Sequence, residues 1–187
     1  MNKFTLHQTP IDGLNVIERH SISDTRGLFE RMFCEEVLGK FLQGKGIRQI
    51  NRSLTRRKGT VRGLHFQHPP HAETKIVTCL KGKVFDVAVD LRKGSPTFLD
   101  HNMVVLTGEN QRSHLIPEGF AHGFQTLTSD CELLYLHSAD YAKKFEGALN
   151  ISDPRLAIKW PEPIAERSER DLNHPMLTDE FQGVDLR

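Results

Sequence analysis

The chain has 187 residues and 21.3 kDa, with 25 Lys and Arg against 24 Asp and Glu, a formal charge of +1 and a mean hydropathy of −0.44. That length suits one domain with a proper core and is short for two. The balanced charge excludes the basic excess of a nucleic-acid binder and an acidic tail, while recurring Phe, Val, Leu and Ile argue against disorder.

In chain order, the opening MNKFTLHQTP lacks the apolar stretch of a secretory signal, and no later run approaches the roughly 18 apolar residues of a membrane span. A soluble cytoplasmic protein with no membrane or nucleic-acid partner is expected. Residues 14–19 (LNVIER), 26–33 (RGLFERMF), 47–54 (IRQINRSL) and 60–66 (TVRGLHF) read as short strands between turn residues, as do 74–80 (TKIVTCL), 83–91, 101–106 (HNMVVL) and 131–137 (CELLYLH). Residues 35–42 (EEVLGKFL) and the charged stretch after Ser168 read as helical. His68-Pro69-Pro70-His71 cannot continue a central strand, because each proline removes a ladder donor.

Between Val84 and Leu91 the alternation puts Phe85, Val87, Val89 and Leu91 on one face and Val84, Asp86, Ala88 and Asp90 on the other. KGSPTF at 93–98 then reads as a turn. The tail from about 160 to 187 is expected to wrap the β core as an irregular flap, with SERD opening a helical turn. Many short strands and few peripheral helices imply an all-β sandwich or barrel, with one domain spanning 1–187. Cys34, Cys79 and Cys131 are an odd count without a CxxC pair, which argues against a disulfide framework or zinc knuckle and fits a reducing compartment.

Of ten histidines, four cluster in RGLHFQHPPHAETK (62–75) and PEGFAHGF (117–124). One reading is a metal site drawn from His65, His68, His71 or Glu73 with His122, since Pro117, Gly119 and His122 resemble the second motif of cupins. Such sites usually take a HxH pair, however, and residues three apart on a strand, like His65 and His68, face opposite ways. The other reading is metal-free acid–base chemistry, which needs an imidazole, an anion orienting it, a second proton donor and a cation for a developing oxyanion.

Five stretches, DTRGLF (24–29), VRGLHFQ (61–67), KGKVFDVAVDLRKGSPTF (81–98), LIPEGFAHGF (115–124) and IKWPEP with SERD (158–171), resemble the dTDP-4-dehydrorhamnose 3,5-epimerase family in order and spacing. The resemblance implies a cupin-like jelly-roll (a double-stranded β-helix) and a homodimer with strand exchange. It also implies action on nucleotide-linked 4-keto-6-deoxy sugars, dTDP- or CDP-linked, in deoxysugar biosynthesis, with no metal or organic cofactor. Carried over by residue, it makes His65 the base, Asp171 its carboxylate partner, Lys75 the cation steadying an enolate and Tyr135 the proton donor on the opposite ring face. Asp171 has a second reading, because Ser168 three residues before it also fits a helix cap.

Arg26 and Arg62 match arginines that grip a diphosphate, and Phe29, Gln49, Asn51 and His122 match substrate-binding positions. A strict two-residue period sets Arg62 and His65 on opposite faces unless Gly63 marks a bulge, and strand polarity makes Asp86 a support for Lys75 or His122. Arg31, Ile50, Arg52, Leu115 and Asp140 depart from the family's usual residues, so the nucleobase, the sugar and the number of inverted centres stay open. The rival functions are a metal-dependent cupin isomerase or dioxygenase and a non-catalytic jelly-roll that binds a sugar nucleotide.

Overall fold

The computed structural model describes residues 3–186, so residues 1, 2 and 187 of the expected domain lie outside the described residues. Its strands are β1 (Phe4–Gln8), β2 (Asn15–Arg19), β3 (Ile22–Asp24), β4 (Gly27–Phe29), β5 (Gln49–Thr55), β6 (Val61–Gln67) and β7 (Lys75–Lys81). They continue with β8 (Lys83–Asp90), β9 (His101–Thr107), β10 (Arg112–Ile116), β11 (Phe120–Thr126), β12 (Cys131–His137) and β13 (Glu146–Ala148). Two one-turn helices, α1 (Glu35–Leu38) and α2 (Glu169–Leu172), sit at the periphery.

Antiparallel pairing assembles a six-stranded sheet in the order β1-β2-β10-β7-β12-β5 and a five-stranded sheet in the order β13-β6-β11-β8-β9, while β3 and β4 form a separate hairpin. From β5 onward the chain alternates between the two large sheets, except where β8 and β9 pair side by side. Two antiparallel sheets built by such alternation are a jelly-roll, which agrees with the all-β sandwich or barrel that the short strands imply and with the cupin-like fold that the resemblance implies.

The two faces of β8 explain the layering. Val84 and Ala88 enter a core between the sheets with Val104, Leu106 and Phe124, against Val77, Cys79 and Leu133 of the other sheet. Val87, Val89 and Leu91 turn the other way and pack with Val61, Leu64, Phe66 and Ile151, under a tail that contributes Val184, Trp160, Leu177 and Phe181. The outer face of the six-stranded sheet is covered separately, where Leu38 of α1 joins Phe4, Ile17, Ile76, Leu115 and Leu136. Each such aliphatic side chain contributes on the order of 1.5–3 kcal/mol by leaving water.

The KGSPTF turn is organised by a buried anion. Asp90 accepts from Arg92 Nε (2.9 Å) and Nη2 (2.7 Å), from Ser95 Oγ (2.6 Å) and from Thr97 Oγ1 (2.7 Å). Burial opposes its ionisation, yet these donors outweigh burial and hold the carboxyl below its ordinary range. The sequence reading needs correcting in two places. RGLFERMF is extended only over Gly27–Phe29, and β1, β10, β11 and β13 lie outside the strands read from the sequence. In β11 every residue is buried, so nothing alternates.

Candidate active site

A cavity of about 400 Å³ opens between the sheets, within the range of small-ligand sites. Arg62 and His65 of β6 and His122 of β11 line it from the five-stranded sheet, while Asn51 of β5, Lys75 of β7 and Tyr135 of β12 line it from the six-stranded sheet. The ring centroids of His122 and Tyr135 lie 6.3 Å apart across this gap.

Arg62 and His65 share the cavity because β6 bulges. His65 pairs with His122 and Arg62 with Phe124, so two residues of β6, Gly63 and Leu64, oppose the single Gly123 of β11. Gly63 has a φ of +124°, and a Cβ there would sit 2.6 Å from the Cα of Gly123. The bulge resets the two-residue period and answers the question that strand alternation leaves open.

Behind His65, the first turn of α2 supplies the anion. His65 Nε2 lies 2.8 Å from Asp171 Oδ1, and the Asp171 amide donates to Ser168 Oγ at 3.0 Å. Ser168 thus caps the Asp171 amide, which leaves the carboxylate itself to face the imidazole. Burial raises the Asp171 pKa, but hydrogen bonding and charge from His65 and charge from His174 outweigh it, leaving a carboxylate below its ordinary range. With Nε2–H committed to Asp171, the lone pair of neutral His65 lies on Nδ1.

A third group, His174, places Nε2 at 3.0 Å from Asp171 Oδ1 and 3.2 Å from His65 Nε2. Sequence reasoning missed His174, which lies three residues beyond Asp171, just past the end of α2, where no regular period marks it.

On the facing sheet the Tyr135 hydroxyl lies 3.1 Å from Ser53 Oγ. Burial drives its pKa far above the ordinary phenol value, so it stays protonated at neutral pH. Lys75 Nζ reaches 3.3 Å from Glu73 Oε1 and 3.3 Å from the His65 carbonyl, which carries the ammonium across the gap. Glu73 also accepts from His137 Nδ1 at 2.9 Å, and Asn51 Nδ2 donates to His137 Nε2 at 3.3 Å. His137 was not singled out from the sequence, although two residues after Tyr135 on a strand is the same face.

His122 is fixed from inside the barrel. Its Nε2–H donates to Asp86 Oδ2 at 2.8 Å, and the fully buried His114 donates from Nδ1 to Asp86 Oδ1 at 2.8 Å. Burial lowers the His122 pKa despite the opposing Asp86 charge, so His122 is neutral at pH 7 and offers Nδ1 as an acceptor. Of the two supports read for Asp86, it holds His122 and not Lys75, whose acidic partner is Glu73.

Not every residue expected at the site reaches the cavity. Gln49 stands just outside, accepting from the Tyr141 amide at 3.1 Å. Arg26 and Phe29 lie on the β3–β4 hairpin and do not line it, with Phe29 68% exposed and Arg26 paired to Asp24. Two other arginines do line it, Arg52 held by Glu132 (2.7 Å) and Arg170 held by Glu146. The wider metal-ligand set is not gathered. His68 packs on Phe66 and His71 stacks on Phe145, while His122 and Glu73 are engaged as described.

This arrangement has counterparts in known proteins. Residues 8–179 match the family model described as dTDP-4-dehydrorhamnose 3,5-epimerase. A protein of that name from Sinorhizobium fredii is 40% identical, over 89% of this chain and 86% of the relative. Among solved structures, the dTDP-6-deoxy-D-glucose-3,5-epimerase of Legionella pneumophila, in complex with dTDP-4-keto-L-rhamnose, is similar with a TM-score of 0.88 and 37% identity. That match covers 98% of this chain and 99% of the other. ChmJ, a 3'-monoepimerase from Streptomyces bikiniensis in complex with dTDP-quinovose, is similar with a TM-score of 0.80 and 34% identity, covering 91% of this chain and 86% of the other. With a jelly-roll, a cavity between its sheets and matches that span nearly all of its length, the chain belongs to the dTDP-4-dehydrorhamnose 3,5-epimerase family of isomerases.

Proposed function

We propose that this protein epimerises a nucleotide-linked 4-keto-6-deoxy sugar by removing a proton beside the ketone from one ring face and returning one to the other. The observation that carries the reading is that His65 and Tyr135 line one cavity from opposite sheets. Inversion at carbon needs a base and an acid on opposite sides of the ring, and a sugar lying between the sheets meets both.

In this mechanism His65 Nδ1 takes the proton from the carbon next to the carbonyl, and the electron pair of that C–H bond moves to form an enolate oxygen. Asp171 stabilises the resulting imidazolium, as in other His–Asp pairs, and Lys75 donates to the enolate oxygen. The Tyr135 hydroxyl then protonates the carbon from the far side, and its buried, protonated phenol suits it to that step. Exchange with solvent restores both groups, so the reaction is balanced without a metal or organic cofactor.

Arg62 grips the diphosphate, while Gln49, Asn51 and His122 complete the substrate-binding set, with His122 Nδ1 accepting from a sugar hydroxyl. Arg26 and Phe29 project from the hairpin and serve the cavity of a second copy in a homodimer, consistent with their exposure and their absence from the lining of their own cavity. The three free cysteines support a cytoplasmic setting. A thymidine-linked donor is favoured, because the Legionella and Streptomyces relatives are described with dTDP-sugars.

Proton NMR in D2O with dTDP- and CDP-linked 4-keto-6-deoxyglucose tests the reading. Wash-out of the signals at sugar carbons three and five of the dTDP compound is expected. Wash-out at only one carbon narrows the reaction to one centre, and preference for the CDP compound changes the nucleobase. No wash-out from folded protein with either compound overturns the reading in favour of a binding jelly-roll.

A further inference from the structure

His65 Nε2, Asp171 Oδ1 and His174 Nε2 form a triangle with edges of 2.8, 3.0 and 3.2 Å. Protons fill it poorly. If both imidazoles carry hydrogen on Nε2, two N–H dipoles converge side by side on one carboxylate oxygen. If His174 does not, its lone pair faces that oxygen at 3.0 Å. Either pattern leaves one repulsive edge, whereas a cation at the centre turns all three lone pairs into ligands.

The dimensions and donors select the cation. A tetrahedral zinc with Zn–N bonds of ~2.0–2.1 Å keeps its ligand atoms about 3.3 Å apart, only a few tenths of an ångström wider than this triangle. Two imidazoles and one carboxylate suit zinc and not magnesium, which prefers an octahedron of oxygens. Asp171 is buried and His174 half-buried, but their side chains are only 6% and 8% exposed, which limits how far either can turn. His65 and Asp171 also line the cavity, from which water can complete a fourth position.

We infer that His65, Asp171 and His174 form a binding site for one zinc-class divalent cation, and that occupation of this site switches the enzyme off. The binding half stands on the triangle alone, while the switching half rests on the function proposed above. A cation on His65 Nε2 takes the position of the Nε2 proton, so the single proton of the neutral ring resides on Nδ1. Nδ1 then has no lone pair with which to remove a substrate proton. Among the described residues no other group of three metal-ligating side chains is drawn this close, so one ion per chain is expected.

The test uses the untagged full chain, stripped with EDTA and freed of chelator. Cobalt(II) reports coordination through its visible tetrahedral spectrum, and zinc affinity is read by competition with a chromophoric chelator. The expected result is one ion per chain, at least tenfold weaker binding in both His174→Asn and His174→Gln, and no response to magnesium. With substrate in D2O, stoichiometric zinc is expected to stop α-proton wash-out, EDTA to restore it, and the His174 variants to keep their own wash-out rate at the same zinc concentration. Equal affinity in wild type and both variants, or absence of binding, overturns the site. Wash-out that continues at full zinc occupancy overturns the switch. Wild-type protein that binds cobalt through His174 but shows no wash-out even in EDTA overturns the proposed function and leaves the site standing.

Discussion

His65 stands directly opposite His122 on neighbouring antiparallel strands, yet Arg62 pairs with Phe124, so β6 spends one more residue than β11 over the same interval. The bulge at Gly63 is what lets Arg62 and His65 share one cavity. A methyl at Gly63 would meet Gly123 Cα at 2.6 Å and the His122 carbonyl oxygen at 2.8 Å, with a backbone φ of +124° that side chains rarely adopt. Gly63→Ala is therefore expected to cost about 2–4 kcal/mol and to slow turnover by more than tenfold. Gly94→Ala separates strain from clash, because Gly94 has a φ of +76° with nothing within 4 Å. It is expected to cost about 1 kcal/mol and leave turnover unchanged. Chemical denaturation and initial rates read both variants.

The two-sided mechanism predicts different failures for its two proton carriers. His65→Asn removes the base and is expected to abolish both wash-out and epimerisation, by on the order of 10²–10⁴-fold. Tyr135→Phe leaves the base in place while removing the acid on the other face. Wash-out with retention of configuration is expected to persist in that variant while inversion falls by a similar factor. NMR in D2O reads exchange, and separation of the product diastereomers reads inversion. Parallel loss of both in Tyr135→Phe counts against an acid on that face.

Much of the architecture is legible in the sequence because half-buried strands alternate. Phe85, Val87, Val89 and Leu91 part from Val84, Asp86 and Ala88 as the two-residue period requires, and each set enters a different core. β11 escapes that logic because both of its faces are buried, and polar His122 and Gln125 are satisfied by Asp86 and Glu162 instead of by water. The same limit applies at the site. His65, Lys75, Tyr135 and Asp171 are marked by motif, but the Ser53 contact to Tyr135 depends on strand register, which local sequence does not encode. Arg26 and Phe29 show the reverse case, being well marked by motif and absent from the cavity of their own chain.

Acid is expected to weaken the fold in two stages. Burial lowers the folded-state pKa of His122, and burial also lowers those of His101 and His174. An unfolded histidine takes up its proton near pH 6.5, before these folded ones do, so their stabilisation is present above that pH and is lost as pH falls below it. Each unmatched proton costs about 1.4 kcal/mol per pH unit. Asp86 is also buried, but the donors His122 and His114 outweigh burial and lower its pKa. Its contribution is present above the unfolded aspartate value near pH 3.9 and fades below it. Urea midpoints at half-unit intervals from pH 8 to 3 read both stages. His101→Gln, away from the cavity, is expected to shallow the first stage without altering the second.

The turn after β8 offers a test of stability that leaves the chemistry untouched. Asp90 is fully buried and satisfies Arg92, Ser95 and Thr97 at once, so its charge holds the KGSPTF turn and the start of the path to β9. Asp90→Asn keeps the shape but removes the charge and puts an amide N–H₂ where one oxygen accepted. Arg92 and the two hydroxyls then lose an anionic partner. Breaking one side of such a buried pair costs about 3–5 kcal/mol, so a fall of roughly 3 kcal/mol in unfolding free energy is expected, with α-proton wash-out per folded molecule unchanged. Arg92 is partly exposed and stacks its guanidinium 4.7 Å from the Phe120 ring centroid, so Arg92→Met is expected to cost less than Asp90→Asn. A larger loss for Arg92→Met would mean that the cation, not the buried carboxylate, organises this corner of the jelly-roll.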